Sequence, residues 1–440
     1  MVNGFDPARL GELSDAEQAL IARRAAVLGP SYKLFYNHPA HFVRGQGVYL
    51  YDPNDVEYLD VYNNVPSVGH CHPRVVDAVS RQSAILNTHT RYLHEGIVNY
   101  SGDLLDTFPG ELDRVMYTCT GSEAVDLALR LSRFNTGATG VIVTANAYHG
   151  TTSASAELSP SMGPNVPLGR NVYTVPAPDH YRAKLGEDVG ETLAKNVEAV
   201  IADMERHGIR LAAFLADMIQ STDGVLAEPK GFFRKTAKLV REKGGIFIAD
   251  EVQPGFGRTG DSMWGFQRHG LIPDIVVMGK PMGNGMPIAG IAVRSELVED
   301  FGKQIRYFNT FGANTVCIAA AQAVLDVIRD EKLMENAGEV GRYMRESMIE
   351  AVGGFERVGD VRGAGLFIGL DFVKNRDTKE PDGELGLAVV NRLREKRVLI
   401  SASGATGNVL KIRPPLPFSK ANADVFVERL QETLDELIRQ

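Results

Sequence analysis

The apolar run Ile275-Val-Val-Met278 ends in Gly279-Lys280 and passes at once into Pro281-Met-Gly-Asn-Gly-Met-Pro287. Four consecutive apolar residues predict a strand covered on both faces, as in a parallel sheet with helices above and below. A lysine after a strand is ordinarily solvated. At the end of a buried strand its ammonium loses hydration, its pKa falls, and the neutral amine becomes available to attack a carbonyl carbon. Lys280 is therefore a candidate for covalent attachment to an aldehyde.

Two further motifs supply groups that suit such chemistry. Thr118-Cys-Thr120-Gly121-Ser122-Glu-Ala124 reads as a strand end, a glycine turn and a helix, with Ala124, Leu127, Ala128 and Leu131 keeping the helical rhythm. Hydroxyls at such a point commonly cap the helix, and with its free N–H groups and dipole they can also hold a phosphate. Thr120, Gly121 and Ser122 are the candidates. In Phe247-Ile-Ala-Asp250-Glu251-Val-Gln253 an acid sits at the carboxyl end of another apolar run, the edge at which open α/β sheets bind ligands. A buried carboxylate needs a cationic or strongly donating partner, and the protonated ring nitrogen of a pyridine is one. Aldehyde, pyridinium and phosphate occur together in pyridoxal 5′-phosphate, which Lys280, Asp250 and the Gly121–Ser122 turn would engage in that order. Ala147-Tyr148-His149-Gly150 adds an aromatic plane that could stack on the ring. Gly255-Phe-Gly257-Arg-Thr-Gly260 matches the dinucleotide pattern GxGxxG, but no helical pattern begins within it, so it carries little weight.

These groups need a scaffold. Short apolar runs at 115–118, 141–144, 211–216, 245–249 and 275–278 alternate with helical patterns, which predicts an α/β domain with a mostly parallel sheet. The stretch 159–188 holds five prolines and reads as a loop. Beyond about residue 315, amphipathic helical patterns at 316–329 and 333–352 surround short strands at 365–369 and 409–412, a smaller α+β domain. The expected division is 1–65, an N-terminal segment packing with the small domain; 66–315, the cofactor-binding domain; and 316–440, the small domain.

With 440 residues, 44% hydrophobic and 23% charged, the composition is that of a globular enzyme too long for one core. A net charge of -8 without basic runs argues against nucleic-acid or anionic-membrane partners and favours a small-molecule ligand. Cys71, Cys119 and Cys317 are far apart, which suits neither a disulfide framework nor a zinc site, and no metal is expected. No leader pattern opens the sequence and no apolar run has membrane-spanning length, so the expected location is cytoplasmic.

The motifs Thr-Gly-Ser-Glu-Ala, Tyr-His-Gly, Asp-Glu-Val-Gln-Pro-Gly-Phe-Gly-Arg-Thr-Gly, Met-Gly-Lys and Asn309-Thr310-Phe-Gly-Ala-Asn314 resemble, in order and spacing, those of the class III aminotransferases of fold type I. The resemblance spans about residues 30–430. It implies Asp250 under the pyridine nitrogen, Gln253 near the ring hydroxyl, Tyr148 on the ring face with His149 beside it, and Lys280 in covalent linkage to the cofactor. Thr310 would reach the cofactor phosphate of a neighbouring subunit. That role implies a homodimer with shared active sites, alone or within a tetramer.

Other segments look like a branch of this family that does not transaminate, the phospho-lyases acting on O-phosphoethanolamine or phosphohydroxylysine. They are Gly29-Pro-Ser-Tyr-Lys33, Asn63-Asn64-Val-Pro-Ser-Val-Gly-His-Cys-His-Pro73, Asn87-Thr-His-Thr-Arg91-Tyr-Leu-His94, Gly279-Lys-Pro-Met-Gly-Asn-Gly285 and Asn408-Val-Leu-Lys411-Ile-Arg-Pro-Pro415. Ornithine-type enzymes place a carboxylate-binding arginine where this chain has Lys411, with Arg413 nearby, and a glutamate where it has Thr222. Asp217 stands where the wider family usually has glutamate. The resemblance implies elimination of phosphate from a phosphorylated amine, with Lys33, Asn64, Arg91 and Lys411 as candidates for binding the leaving phosphate. The alternative is an ω-aminotransferase that passes an amino group to a keto acid.

Overall fold

Where apolar residues run without interruption the chain forms strands, and where they recur every three or four positions it forms helices. In the computed structural model, which describes residues 3–438, one sheet has seven strands: Arg114–Thr118, Gly140–Thr144, Val172–Val175, Leu211–Asp217, Ile246–Asp250, Ile275–Met278 and Ala289–Val293. Across the sheet the order is 114–118, 289–293, 275–278, 246–250, 211–217, 140–144, 172–175. Pairing is parallel throughout except for Ala289–Val293, which is antiparallel to both of its neighbours. Five strands coincide with the predicted runs. The other two are Val172–Val175, inside the proline-rich stretch, and Ala289–Val293, whose small residues blur the pattern.

Both faces of the sheet are covered. Val141, Val143, Ala213, Leu215, Ile248, Val277 and Ile291 pack with Ala124, Leu127, Ala128 and Leu131 of the helix Gly121–Thr136. Ile142, Phe214, Phe247 and Val276 point the other way, into a cluster with Leu193 and Val197 of the helix Val189–Arg206 and with Val240 of Arg234–Glu242. Fully burying each such side chain contributes roughly 1.5–3 kcal/mol, so the helices hold the sheet flat against two cores and its strands read as runs rather than alternations.

The separate small domain is an antiparallel sheet in the order Val358–Ala364, Phe367–Phe372, Val409–Ile412, Ser401–Ser403. Helices Leu333–Val352, Gly383–Glu395 and Lys420–Ile438 contribute Val340, Met344, Val389, Phe426 and Leu430 to its core. A third sheet joins Arg44–Gln46, Tyr49–Tyr51 and Glu57–Asp60 to Val398–Leu399, so the N-terminal chain pairs with a C-terminal strand. Among the described residues no helix is long and apolar enough to cross a membrane.

The GxGxxG segment is a joint between these parts. Gly257 and Gly260 have φ of 75° and 76°, and a methyl group added at Gly260 would lie 2.3 Å from Gly338 Cα on the helix Leu333–Val352. Arg258, between them, is buried and donates to the carbonyls of Leu366 at 3.0 Å and Pro414 at 2.7 Å. The glycines here serve the close packing of two backbone segments. Gly260→Ala should combine left-handed strain with a backbone clash and destabilise the fold by about 2–4 kcal/mol, read as a lowered denaturation midpoint.

Candidate active site

Register brings the chemistry to one edge of the large sheet. Asp217 pairs with Asp250, and Asp250 with Val277, so three parallel strands end side by side, with Lys280 just beyond the third. Gly279 lies against the helix start: a methyl group there would meet the backbone of Gly121 at 3.5 Å, ordinary van der Waals contact. Lys280 thus lies beside the mouth of the helix Gly121–Thr136. The cavity at this edge has a volume of about 340 Å³ and is lined by Thr120, Gly121, Ser122, Tyr148, His149, Asp217, Asp250, Gln253 and Lys280, with Val65, Cys119 and Met286 among the rest. This is within the range of small-molecule sites.

At the helix mouth, Thr120 and Glu123 form a capping box. Glu123 Oε2 accepts from the N–H groups of Cys119 at 2.8 Å and Thr120 at 2.9 Å, and Thr120 Oγ1 accepts from Glu123 N–H at 3.2 Å. The N–H groups of Gly121 and Ser122 remain at the positive end of the dipole, where an anion is favoured. Ser122 Oγ accepts from Thr151 N–H at 3.0 Å. Gly150 is required beside it: at φ 142°, an added methyl group would lie 2.4 Å from Ser122 Oγ.

Asp250 is buried and engaged on both oxygens, with Val252 N–H donating to Oδ1 at 3.0 Å and His149 Nδ1 lying 2.7 Å from Oδ2. The other ring nitrogen, His149 Nε2, is buried without a hydrogen-bond partner among the described residues. Lys280 is enclosed by protein and open only to the cavity; loss of water, helped by the Arg413 charge, pushes its ammonium down to about 8 against the pull of Asp250 and Asp217. Desolvation and the neighbouring Asp250 push Asp217 up. Asp223, largely desolvated, is pushed up to about 6.

A second group of charges lies on the small-domain side. Arg413, buried after the strand Val409–Ile412, donates through Nη1 to Asn64 Oδ1 at 2.6 Å and to Gln253 Oε1 at 2.8 Å, and Asn64 Nδ2 donates to the same Gln253 oxygen at 2.9 Å. Its guanidinium lies over the Tyr62 ring, 4.5 Å from the centroid. With its oxygen taken twice, Gln253 keeps its amide N–H groups free. Lys411, on the same strand, is buried; desolvation and the Arg413 charge hold its ammonium well below the usual lysine range.

Eight of the residues singled out from sequence line this cavity; Asn64 and Lys411 are buried behind it, and three others lie apart. Lys33 is exposed, Arg91 is exposed with its guanidinium over the Phe308 ring, and Thr310 is exposed outside the cavity of its own chain. Asn309, next to Thr310, reaches Glu123 Oε1 of the capping box at 3.4 Å. Sequence reasoning left Arg413 and Asp223 out of the site. A cation before two prolines at a strand end, and an acid in the polar run Gln220-Ser-Thr-Asp-Gly224 after a buried strand, were the available signals.

Residues 35–434 match the family model described as aminotransferase class-III. The chain belongs to this family. It is 38% identical over 438 residues to an ethanolamine-phosphate phospho-lyase homolog of Caenorhabditis elegans, covering 95% of this chain and 94% of the relative. It is 40% identical over 426 residues to an alanine–glyoxylate aminotransferase 2-like protein of Drosophila melanogaster, covering 94% and 86%. Among solved structures, a phospholyase from Arthrobacter in complex with phosphoethanolamine superposes with a TM-score of 0.91 at 42% identity, covering 95% of this chain and all of that one.

The fold is fold type I, and the cofactor of the family is pyridoxal 5′-phosphate. The residues fit that group on structural grounds: an anion-favouring helix mouth, a lysine facing the cavity, a buried carboxyl at its floor, and a buried imidazole nitrogen without a partner among the described residues.

Two outcomes follow for the cofactor site. Covalent capture of pyridoxal phosphate by apoenzyme, followed by visible absorbance, should speed up by about tenfold per pH unit below about 8 and level off above it, because only the neutral amine reacts. Borohydride should then fix the label on Lys280 in a peptide map. Asp250→Asn should still bind cofactor covalently but lose turnover by roughly 10²–10³-fold, measured at saturating substrate.

Proposed function

We propose that the protein is a phospho-lyase that eliminates phosphate from O-phosphoethanolamine or a related phosphorylated amine. The observation that carries this reading is the cationic pair Lys411 and Arg413, buried on the small-domain strand and just past its end, behind the cavity lining and within electrostatic reach of Lys280. A buried cation without a matching carboxylate is costly, and a dianionic substrate group that brings its own charge relieves that cost. The likeness to a phospholyase bound to phosphoethanolamine supports the same substrate class.

When bound, pyridoxal phosphate supplies an electron sink for negative charge on the carbon next to the substrate nitrogen. Ser122, Gly121 and Thr120 would hold the cofactor phosphate, Tyr148 would pack against the ring, Gln253 would offer its amide to the ring hydroxyl, and Asp250, steadied by His149, would keep the ring nitrogen protonated. Lys280 Nζ takes the proton from the carbon bearing the amine; its depressed pKa makes the free amine a base near neutral pH. Lys411 and Arg413 donate to the phosphate oxygens as the carbon–oxygen bond breaks. One water is consumed, and acetaldehyde, ammonia and inorganic phosphate leave. Asn64 serves through Gln253 and Arg413 rather than by touching phosphate. Thr310 is proposed to serve the site of a second copy in a homodimer, a setting in which Lys33 and Arg91 would also find their roles.

The second reading, amino transfer to a keto acid, is favoured by the likeness to an alanine–glyoxylate aminotransferase 2-like protein. The two separate cleanly. An eliminating enzyme returns to its starting form after each turnover, so purified protein should release phosphate and ammonia from O-phosphoethanolamine in equal amounts with no keto acid present. Turnover that depends strictly on pyruvate or glyoxylate, without phosphate release, would establish the aminotransferase. Lys411→Met should lower kcat/KM for the phosphorylated amine by about 10–100-fold while leaving cofactor affinity within about twofold, the loss of one charge-assisted hydrogen bond.

A further inference from the structure

The loop after the strand Leu211–Asp217 holds an uncommon conformation. Gln220 and Val225 have φ of 49° and 60°, and Gly224 has φ of 131°; for Val225, a buried β-branched residue, the left-handed region is strained. Such a loop persists only where its surroundings fix it, and here they do so from two sides. On the small-domain side, Arg362 Nη2 donates to Gly224 O at 2.7 Å and Nε to Val225 O at 3.1 Å, while its Nη1 is held by Asp371 Oδ2 at 2.9 Å and Asp360 Oδ2 at 3.1 Å. Ser403 Oγ donates to Ser221 O at 2.8 Å, and Gly404 N–H to Thr222 O at 3.2 Å.

On the other side the loop grips the segment that carries Tyr148 and His149. Asp223 Oδ2 accepts from Thr144 Oγ1 at 2.7 Å, and Asp223 Oδ1 accepts from Asn146 N–H at 3.0 Å. Thr222 O accepts from Asn146 Nδ2 at 2.7 Å. Asn146 is thus held by both its backbone and its side chain, two residues before Tyr148 and three before His149, which in turn meets Asp250.

We infer that Asp223 is a positioning residue for the aromatic wall of the cofactor site, and that Arg362 transmits the placement of the small domain to it through the loop 217–225. Neither residue lines the cavity or touches the reacting atoms. Asp223 fixes Asn146, Asn146 fixes the Tyr148–His149 turn, and His149 fixes the carboxyl group of Asp250. The inference rests on the cofactor site alone and is the same whether elimination or amino transfer follows.

The test uses holoenzyme and reads the cofactor rather than turnover alone. Asp223→Ala should raise the pyridoxal phosphate dissociation constant about tenfold and reduce the visible circular dichroism of the bound cofactor, which reports ring orientation, while Asp223→Asn, which keeps an acceptor for Asn146 N–H, should recover most of both. Arg362→Lys should move the same two signals in the same direction by a smaller factor. Thr144→Val removes one donor to Asp223 without altering shape and serves where Asp223→Ala does not accumulate as folded protein; it should weaken cofactor binding by about threefold. Unchanged cofactor affinity and circular dichroism in the folded variants, with only a lowered melting temperature, would overturn the inference. So would failure of Asp223→Asn to recover either signal.

Discussion

A lysine amine can act as nucleophile and base near neutral pH only if something makes its charged form unfavourable, and in this chain that constraint falls on Lys280. Its strand is covered on both faces, so the residue just past its end has protein where a surface lysine has water. The pull of Asp250 and Asp217 would raise its pKa, yet the net movement is downward, to about 8, which corresponds to about 3 kcal/mol of lost preference for the ammonium. Desolvation is the largest influence, and the Arg413 charge works in the same direction. Everything else at the sheet edge is arranged around that result: an acid on the adjacent strand, an anion-favouring helix mouth against Gly279, and a cavity of a size that admits a small molecule.

Arg413 shows how far that arrangement reaches. It comes from the small domain, its Nη1 is shared between Asn64 of the N-terminal segment and Gln253 of the large sheet, and it lowers the pKa of both Lys280 and Lys411. One buried guanidinium therefore joins three distant parts of the sequence and sets the electrostatics of the site at the same time. Removing a buried, hydrogen-bonded charge of this kind leaves its partners unsatisfied, which is why such a residue is felt in folding and in chemistry together.

The large sheet was legible because its strands are buried on both faces and so spell themselves out as apolar runs; Ile275–Met278 and the helix Leu333–Val352 have the bounds expected for them. Ala289–Val293 escaped because Ala and Gly dominate it, and Val172–Val175 because prolines on both sides mask a four-residue edge strand. At the site, residues on strand ends and helix mouths could be placed from sequence, since local structure dictates where they point. Thr120 spends its hydroxyl on capping the helix, the role that a hydroxyl at such a turn commonly takes. Arg413 and Asp223 were not legible, because their importance lies in partners 349 and 79 residues away along the chain. Lys33, Arg91 and Thr310 are exposed and lie outside the cavity, where no local structural signal assigns them a role.

The division of labour between the domains follows from these contacts. The large sheet supplies the groups that suit the cofactor: Asp250, Lys280 and the Gly121–Ser122 turn sit at strand ends or a helix mouth, and Tyr148, His149 and Gln253 on the loops that follow two of the strands. The small domain supplies Lys411 and Arg413, whose placement depends on how that domain is docked. Docking in turn is fixed by a few buried polar links: Arg258 to Leu366 and Pro414, Arg182 to Asp371, and Arg362 to the loop at Gly224. Polar links of this kind contribute little net stability compared with apolar packing, but they tolerate only one geometry. A fold that shares its cofactor site across a family can thus change what it does with the bound amine by altering side chains on the small-domain strand 409–412 and the turn that follows it, without disturbing the sheet edge that holds Lys280 and Asp250.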